Sequence, residues 1–468
     1  MHLPRNLANY APNGLSPFFF SRLPKTTTKP TSHSPMPICS NANPHLDQAN
    51  SAAARLEAAT DPSTPPQLHA HVLRNHLLLT SFHWNTLMRA YLRVGSPRAA
   101  LRVYVAMSRA GFAPDSYSLP IAFKAASTTY DLGASRELHA AAVKRGLERN
   151  EYCESGLINV YSKAGQFDSA RRMFDGNPER KLGSWNSLIS GLAQNGQLME
   201  AMEVFVELRS SGLVPDDVTM VSVVSACGGL GDIGLAKQIH KCVLQCRHFE
   251  RLEVMVSNSL VDMYAKCGRT DLSRKLFDKM PNRDVSSWTS MITGLAMHGE
   301  ERIAVELFNA MRKEGIRPNH VTMVGVLCAC AHGGMVDQGM EYLEAMEKGD
   351  IWVEPTVAHY GCVVDMLGRV GRVEEARSVV ERRMPMPANV VIWGTLLGAC
   401  EKHGNVVVGE WAAGKLVELE PWNDGVYVVL SNIYAGAEMW GEVERVRRLM
   451  RDRSVGKSPG FSSANVVM

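Results

Sequence analysis

No Cys-x-x-Cys occurs among the ten cysteines of this 468-residue chain, and their scattered spacing matches neither a disulfide framework nor a zinc site. Such thiols fit a reducing compartment. Aromatic residues are scarce, at 7%, while Met reaches 24 residues, a balance that favours helices over β-sandwiches. An excess of either charge is also lacking: 50 Lys and Arg face 47 Asp and Glu, and a net charge of +3 gives no broad field to pull on a duplex or an anionic membrane. No apolar run approaches the roughly 18 residues of a membrane helix. Phe18, Phe19 and Phe20 are too few for a secretory core. Neither a Walker-type phosphate loop nor a Gly-x-Ser-x-Gly elbow is present. What is there, then, is a soluble chain too long for one hydrophobic core.

The first fifty residues stand apart. Arg5, Arg22, Lys25 and Lys29 face one acid, Asp47, among hydroxyl residues such as Ser16, Thr26 and Thr31 and prolines that oppose stable structure. This basic, hydroxyl-rich, acid-poor bias is what organelle import machinery reads, so residues 1–50 are expected to form a disordered transit peptide. A plain disordered tail has a similar composition.

Repetition dominates the remainder. Trp84-Asn85-Thr86-Leu87-Met88 returns as Trp185-Asn186-Ser187-Leu188-Ile189 and as Trp288-Thr289-Ser290-Met291-Ile292, the tryptophans 101 and then 103 residues apart. Each super-period holds three unequal modules. The first kind runs Ser81–Asp115, Leu182–Asp216 and Val285–Asn319, 35 residues each. The second runs Ser116–Asn150, Asp217–Glu253 and His320–Thr356. The third, of 31 residues, runs Glu151–Lys181 and Val254–Asp284, with a variant at Val357–Asn389.

Each module is expected to be two helices. Leu188, Ile189 and Leu192 make an apolar face, Asn195-Gly196 breaks it, and Ala201, Val204, Phe205 and Leu208 resume at three- and four-residue spacing. Ala201 with Phe205 returns as Ala170 with Phe174 and Ala304 with Phe308, a small residue for close helix approach and a large one to fill the gap. Neither helix buries its face alone, so neighbours must stack. The expected fold is all-α, an α-solenoid of tandem helix-turn-helix repeats. Trp84, Trp185 and Trp288, beside the apolar face, are expected in the core rather than against bases, with Met as filler.

A 35-residue helix pair with Trp-Asn-x-Leu-Ile near its start and Gly-x-x-Pro-Asp at its end resembles the pentatricopeptide repeat. The alternation of module lengths resembles that family's plant P-L-S subclass, and Phe277-Asp278-Lys279-Met280-Pro281-Asn282-Arg283-Asp284 is similar to its short repeat. Trp393-Gly394-Thr395-Leu396 through Glu420-Pro421 resembles a first E motif, placed at 390–423, and Tyr427-Val428-Val429-Leu430 through Pro459-Gly460 a second, at 424–460, before a tail at 461–468. Gln67-Leu68-His69 mirrors Glu137-Leu138-His139, so residues 51–80 resemble a degenerate capping repeat ahead of a nine-repeat tract at 81–389. The resemblance implies a right-handed superhelix whose groove holds single-stranded RNA, one base per repeat.

It also implies that the fifth and last residues of a module do the reading. Here these are Asn85 with Asp115, Asn186 with Asp216, Asn258 with Asp284, and Thr289 with Asn319. An Asn amide donates and accepts, as a uracil edge requires, and a neighbouring Asp can fix its orientation. Thr with Asn resembles the family's adenine pair. The expected reading is U, U, U and A on RNA running parallel to the chain from its 5′ side, with the amides open to solvent. Ser155 with Lys181 departs from the pattern, Lys181 being expected on phosphate, and Gly361 with Asn389 reads weakly. Pro120 with Asn150, Val221 with Glu253 and Val324 with Thr356 offer little at the fifth position. Helix capping is the competing role for every one of these Asn and Asp residues.

Many long relatives of this type end in a zinc cytidine deaminase, whose signature is His-x-Glu followed by Pro-Cys-x-x-Cys. Here His298-Gly299-Glu300 coincides with Gln194-Asn195-Gly196, Lys266-Cys267-Gly268 and Arg369-Val370-Gly371, all expected turns between helices. His240, Cys242 and Cys246 lack a fourth ligand, and Cys328 and Cys330 point to different faces of a helix. No catalytic residue, metal or cofactor is expected. The resemblance implies a site-recognition factor for C-to-U editing of organellar RNA, with a deaminase-bearing partner recruited in trans through the E motifs. Mitochondrial localisation is expected, with the chloroplast as alternative, and neither membrane nor DNA as partner. Transcript stabilisation, splicing or translation is the other RNA role in view. A TPR-like protein-binding scaffold is the reading without RNA, but such arrays keep a uniform period and lack the recurring terminal Asp.

Overall fold

The computed structural model describes residues 44–245, 254–453 and 455–456. The expected transit segment up to residue 43, Cys246, Glu253 and the 461–468 tail, together with Pro459-Gly460, lie outside them. The chain divides into two units, one through Phe249 and one from Glu250.

The first unit holds α1 (Pro44–Ala58), α2 (Thr64–Arg74), α3 (Ser81–Arg93), α4 (Pro97–Arg109), α5 (Ser118–Thr129), α6 (Leu132–Lys144), α7 (Glu151–Lys163), α8 (Phe167–Asp175), α9 (Leu182–Gln194), α10 (Leu198–Ser210), α11 (Asp217–Leu230) and α12 (Ile233–Gln245). The second holds α13 (Val254–Lys266), α14 (Thr270–Lys279), α15 (Val285–Met297), α16 (Glu301–Lys313), α17 (His320–His332), α18 (Val336–Glu347) and α19 (Val357–Arg369). It continues with α20 (Val373–Ser378, extended by a π turn at Val379–Arg383), α21 (Val390–His403), α22 (Val406–Leu419), α23 (Asp424–Gly436) and α24 (Trp440–Asp452). No strand occurs among the described residues.

Within each unit every odd-numbered helix packs on its own even-numbered partner and on the next odd-numbered helix. Two layers result, the α-solenoid arrangement expected from the modules. The odd layer is tight because its contacts are made by small residues: a Cβ on Gly191 of α9 would sit 2.3 Å from the Ser162 Cβ of α7. Turns inside the modules fall where the glycines do. Gly196 adopts φ 79°, and Gln197 N–H returns to Leu192 O at 3.0 Å, closing α9 in a Schellman turn that a side chain would strain. His298 caps the end of α15 and Glu300 the start of α16, so His298-Gly299-Glu300 is an inter-helix turn.

The core follows the periodicity. Ala170, Phe174, Ala201, Phe205, Ala304 and Phe308 are fully buried, and Trp84, Trp185 and Trp288 are at most 4% exposed. The helix starts at Glu151, Leu182, Asp217, Val254, Val285, His320 and Val357 coincide with the expected module starts. Two boundaries differ. Helix α5 starts at Ser118 rather than Ser116, because Asp115 Oδ1 accepts from Tyr117 N–H and Ser118 N–H and forms a turn first. The first helix starts at Pro44, inside the segment expected to be disordered, because Ala49, Ala52, Ala53 and Leu56 make a buried apolar face on a helix that packs on α2 and α3.

Candidate nucleic-acid interface

The last residue of each module is where one repeat hands over to the next. Asp216, Asp284, Asn319 and Asn389 are the N-caps of α11, α15, α17 and α21, each accepting from a backbone N–H of the first turn, and Asn150 caps α7 likewise. Lys181 occupies the same place before α9 without a side-chain capping bond. At Asp216 and Asp284, capping and contact with the fifth residue are not rival roles. The same carboxylate does both.

The second expected pair shows how. Asn186 Nδ2 donates to Asp216 Oδ1 and Oδ2 at 3.0 and 3.1 Å, while Asp216 Oδ1 accepts from Thr219 N–H at 2.8 Å. Thr219 Oγ1 lies 2.5 Å from Asn186 Oδ1 and 2.8 Å from Asp216 Oδ1. The other unit repeats this. Asn258 Nδ2 donates to Asp284 Oδ1 at 3.0 Å, and Ser287 Oγ lies 2.6 Å from Asn258 Oδ1 and 2.9 Å from Asp284 Oδ1. In the fourth pair Thr289 and Asn319 meet only through Thr322, whose Oγ1 is 2.7 Å from Thr289 Oγ1 and 3.0 Å from Asn319 Oδ1.

The first pair is incomplete. The Asn85 amide lies near enough to Asp115 to help lower its pKa, but Ser118 Oγ donates to Asp115 Oδ1 at 2.9 Å and Asn85 Oδ1 has no partner. Burial pushes the Asp115 carboxyl up, yet bonds from Ser118 and Tyr117, aided by the Asn85 amide, outweigh it and hold the group below the usual carboxylate value. Asp284 shows the same balance, with the Ser287 backbone N–H and the Asn258 amide as donors.

Solvent access to the amides is narrower than expected. Asn85 is 3% and Asn258 9% exposed, and Thr289 is buried, whereas Asn186 is half-buried and Asp284 and Asn319 are exposed. The cause is the direct stacking of successive odd helices, which lays the next repeat's cap over the fifth side chain. Ser155 and Lys181 are not joined: Ser155 Oγ bonds Glu151 O at 2.8 Å, and exposed Lys181 lines a cavity of about 330 Å³ with Arg149, Glu154 and Asn177. Gly361 carries no side chain, and Asn389 only caps.

One element of the interface escaped the sequence reading. Phe174 and Trp185 stand edge to face at 4.5 Å, and the Arg180 guanidinium lies 4.5 Å over the Phe174 ring while Arg180 Nε donates to Phe174 O at 3.0 Å. Phe277, Trp288 and Arg283 reproduce this at 5.1, 4.6 and 3.0 Å. The arginine immediately precedes the cap, so the clamp fixes the backbone that carries Lys181 and Asp284. The signal was available: Arg180 and Arg283 share the 103-residue phase of Trp185 and Trp288.

The model of the PPR repeat family matches residues 79–127, 180–229 and 283–332, that of the PPR repeat matches 155–176, 256–285 and 358–382, and that of the E motif matches 403–465. The chain is 51% identical over 416 residues to pentatricopeptide repeat-containing protein At1g77170, mitochondrial, of Arabidopsis thaliana, covering 88% of this chain and 89% of that protein. The chain belongs to the pentatricopeptide repeat family. With its E motif it fits the E subgroup of the P-L-S class. Pentatricopeptide repeat-containing protein At1g59720, chloroplastic/mitochondrial, of the same plant is 39% identical over 84% of this chain and 63% of its own length. Among solved structures, the maize pentatricopeptide repeat protein PPR10 superposes with a TM-score of 0.58 at 18% identity, covering 88% of this chain and 64% of that one, which shows a shared fold. PPR10 bound to an 18-nucleotide psaJ RNA element gives 0.57 at 17% identity, covering 88% of this chain and 65% of that one. Among the described residues of this pentatricopeptide repeat protein, no group of three or more His, Cys, Asp or Glu is placed to hold a metal, and no helix is long and apolar enough to cross a membrane.

Proposed function

We propose that this protein is a non-catalytic recognition factor for single-stranded RNA of an organelle, the mitochondrion in the first instance, and that it directs C-to-U editing. The observation that carries the reading is the recurrence of one amide–carboxylate pair, Asn186 with Asp216 and Asn258 with Asp284, at the same phase in both units. Each repeat turns one base toward its fifth residue, the Asn pairs taking uracil and Thr289 with Asn319 taking adenine, while Lys181 meets phosphate. Because the amides are largely covered, a base approaches the rim formed by amide and carboxylate together rather than an isolated side chain.

The E-motif region supplies the second half of the function by docking a separate protein that bears the deaminase. Trp422 and Trp440 are 70% and 66% exposed there, an apolar surface of the sort that partners cover. The mitochondrial relative supports the compartment.

Removing residues 390–468 tests the division of labour. RNA binding by the truncated chain is expected to persist while editing of the target cytidine stops in plants carrying it. Loss of binding in the truncated chain contradicts the scheme, and so does a loss-of-function line whose organellar cytidines are all converted.

A further inference from the structure

Uracil and cytosine differ on the edge where one offers a carbonyl oxygen and the other an amino group. A free Asn amide accommodates both, since its N–H suits the first and its oxygen the second. In two repeats of this protein the oxygen is already engaged. Asp216 can only accept, so it takes an amide N–H of Asn186, and the flipped amide would set oxygen against carboxylate. Thr219 has a single hydroxyl proton, and its nearer acceptor is Asn186 Oδ1 at 2.5 Å rather than Asp216 Oδ1 at 2.8 Å. Ser287 makes the same choice, 2.6 Å to Asn258 Oδ1 against 2.9 Å to Asp284 Oδ1.

We propose that Thr219 and Ser287, each the third residue of the following repeat, are positioning residues that set uracil over cytosine. By donating to the amide oxygens of Asn186 and Asn258 they fix each amide's orientation and take one of the oxygen's two acceptor positions, which favours presenting an amide N–H that matches the uracil carbonyl and opposes the cytosine amino group. This rests on the base reading proposed above. The first repeat is the internal contrast: Ser118 serves Asp115, the Asn85 oxygen stays unengaged, and this repeat prefers uracil less strongly.

The test uses the full chain and an RNA pool with randomised positions, read as binding preference at each nucleotide. Asn186→Ala locates the nucleotide facing its repeat by abolishing preference there. At that nucleotide, Thr219→Val is expected to lower the uracil-to-cytosine ratio about threefold or more, the scale of one hydrogen bond. Thr219→Ser restores it, and the nucleotide facing Asn258 is unaffected. Ser287→Ala gives the same result at the Asn258 repeat and serves if Thr219→Val does not fold. If Asn186→Ala changes no nucleotide, base reading at this repeat fails and the inference with it. If Asn186→Ala flattens one nucleotide but Thr219→Val leaves its ratio unchanged, or weakens all four bases equally, base reading stands and the positioning role is overturned.

Discussion

A Cβ placed on Gly294 would lie 2.5 Å from the Cβ of Ala265, so α13 and α15 touch at a point where only one of the two residues can carry a methyl group. The contact recurs in the first unit between Gly191 and Ser162. It sets the spacing of the odd layer, and hence the distance between successive caps and the fifth residues beneath them. Gly294→Val is expected to destabilise the protein by about 1–3 kcal/mol through overpacking. Urea denaturation measures this, and a partial recovery in Gly294→Val with Ala265→Gly shows that the two positions couple directly.

Arg283 stacks on Phe277 and donates to its carbonyl oxygen, a geometry that needs a flat guanidinium. Arg283→Lys keeps the charge and loses both contacts. The expected cost is about 1–2 kcal/mol. Because the clamp holds the backbone leading into Asp284, RNA preference at the nucleotide facing Asn258 should also fall, while that facing Asn186 should not. Equal losses at both positions would mean that the clamp acts only on stability.

The module starts were legible because helix periodicity and turn glycines recur in phase, and local spacing decides where a helix begins. The likeness of Gln67-Leu68-His69 to Glu137-Leu138-His139 has a structural counterpart: His69 lies 2.9 Å from Tyr91 Oη, as His139 lies 2.7 Å from Tyr161 Oη, each 22 residues apart. The family resemblance pairs the fifth and last residues, and the structure joins Asn186 to Asp216 and Asn258 to Asp284. Their burial and the hydroxyl that joins them were not legible, since both depend on how closely one repeat lies on the next. Composition also hid helix α1, whose alanine-rich face is buried against α2 and α3.

The closeness of Cys328 and Cys362 was hidden in the same way, for they sit on successive odd helices 34 residues apart with their sulfurs at 3.5 Å. Diamide treatment of the folded protein is expected to join them before any other pair of described cysteines. Peptide mapping after alkylation reads the bond, and Cys362→Ser removes it. Cys330, fully buried with its thiol pushed up to about 12, should stay unreacted.

His359 provides the pH-sensitive element of the second unit. Its Nδ1 accepts from Thr356 N–H at 2.9 Å, so its proton sits on Nε2, which donates to His320 O at 3.0 Å. Burial lowers its pKa below the ordinary value, outweighing the bond to His320 O. The unfolded chain therefore binds a proton at higher pH than the folded one. The stability this neutral ring contributes is present above the unfolded value of about 6.5 and is lost as pH falls through it toward the folded pKa. Denaturation of the native protein between pH 7.5 and 5.5 should show that loss. In His359→Gln the third helical position still carries a group able to complete the capping box with Thr356, but it no longer titrates. The variant should be less stable than the native protein at pH 7.5, where it lacks the bond to His320, and its pH slope should be shallower. A slope as steep as the native one would place the titrating group elsewhere.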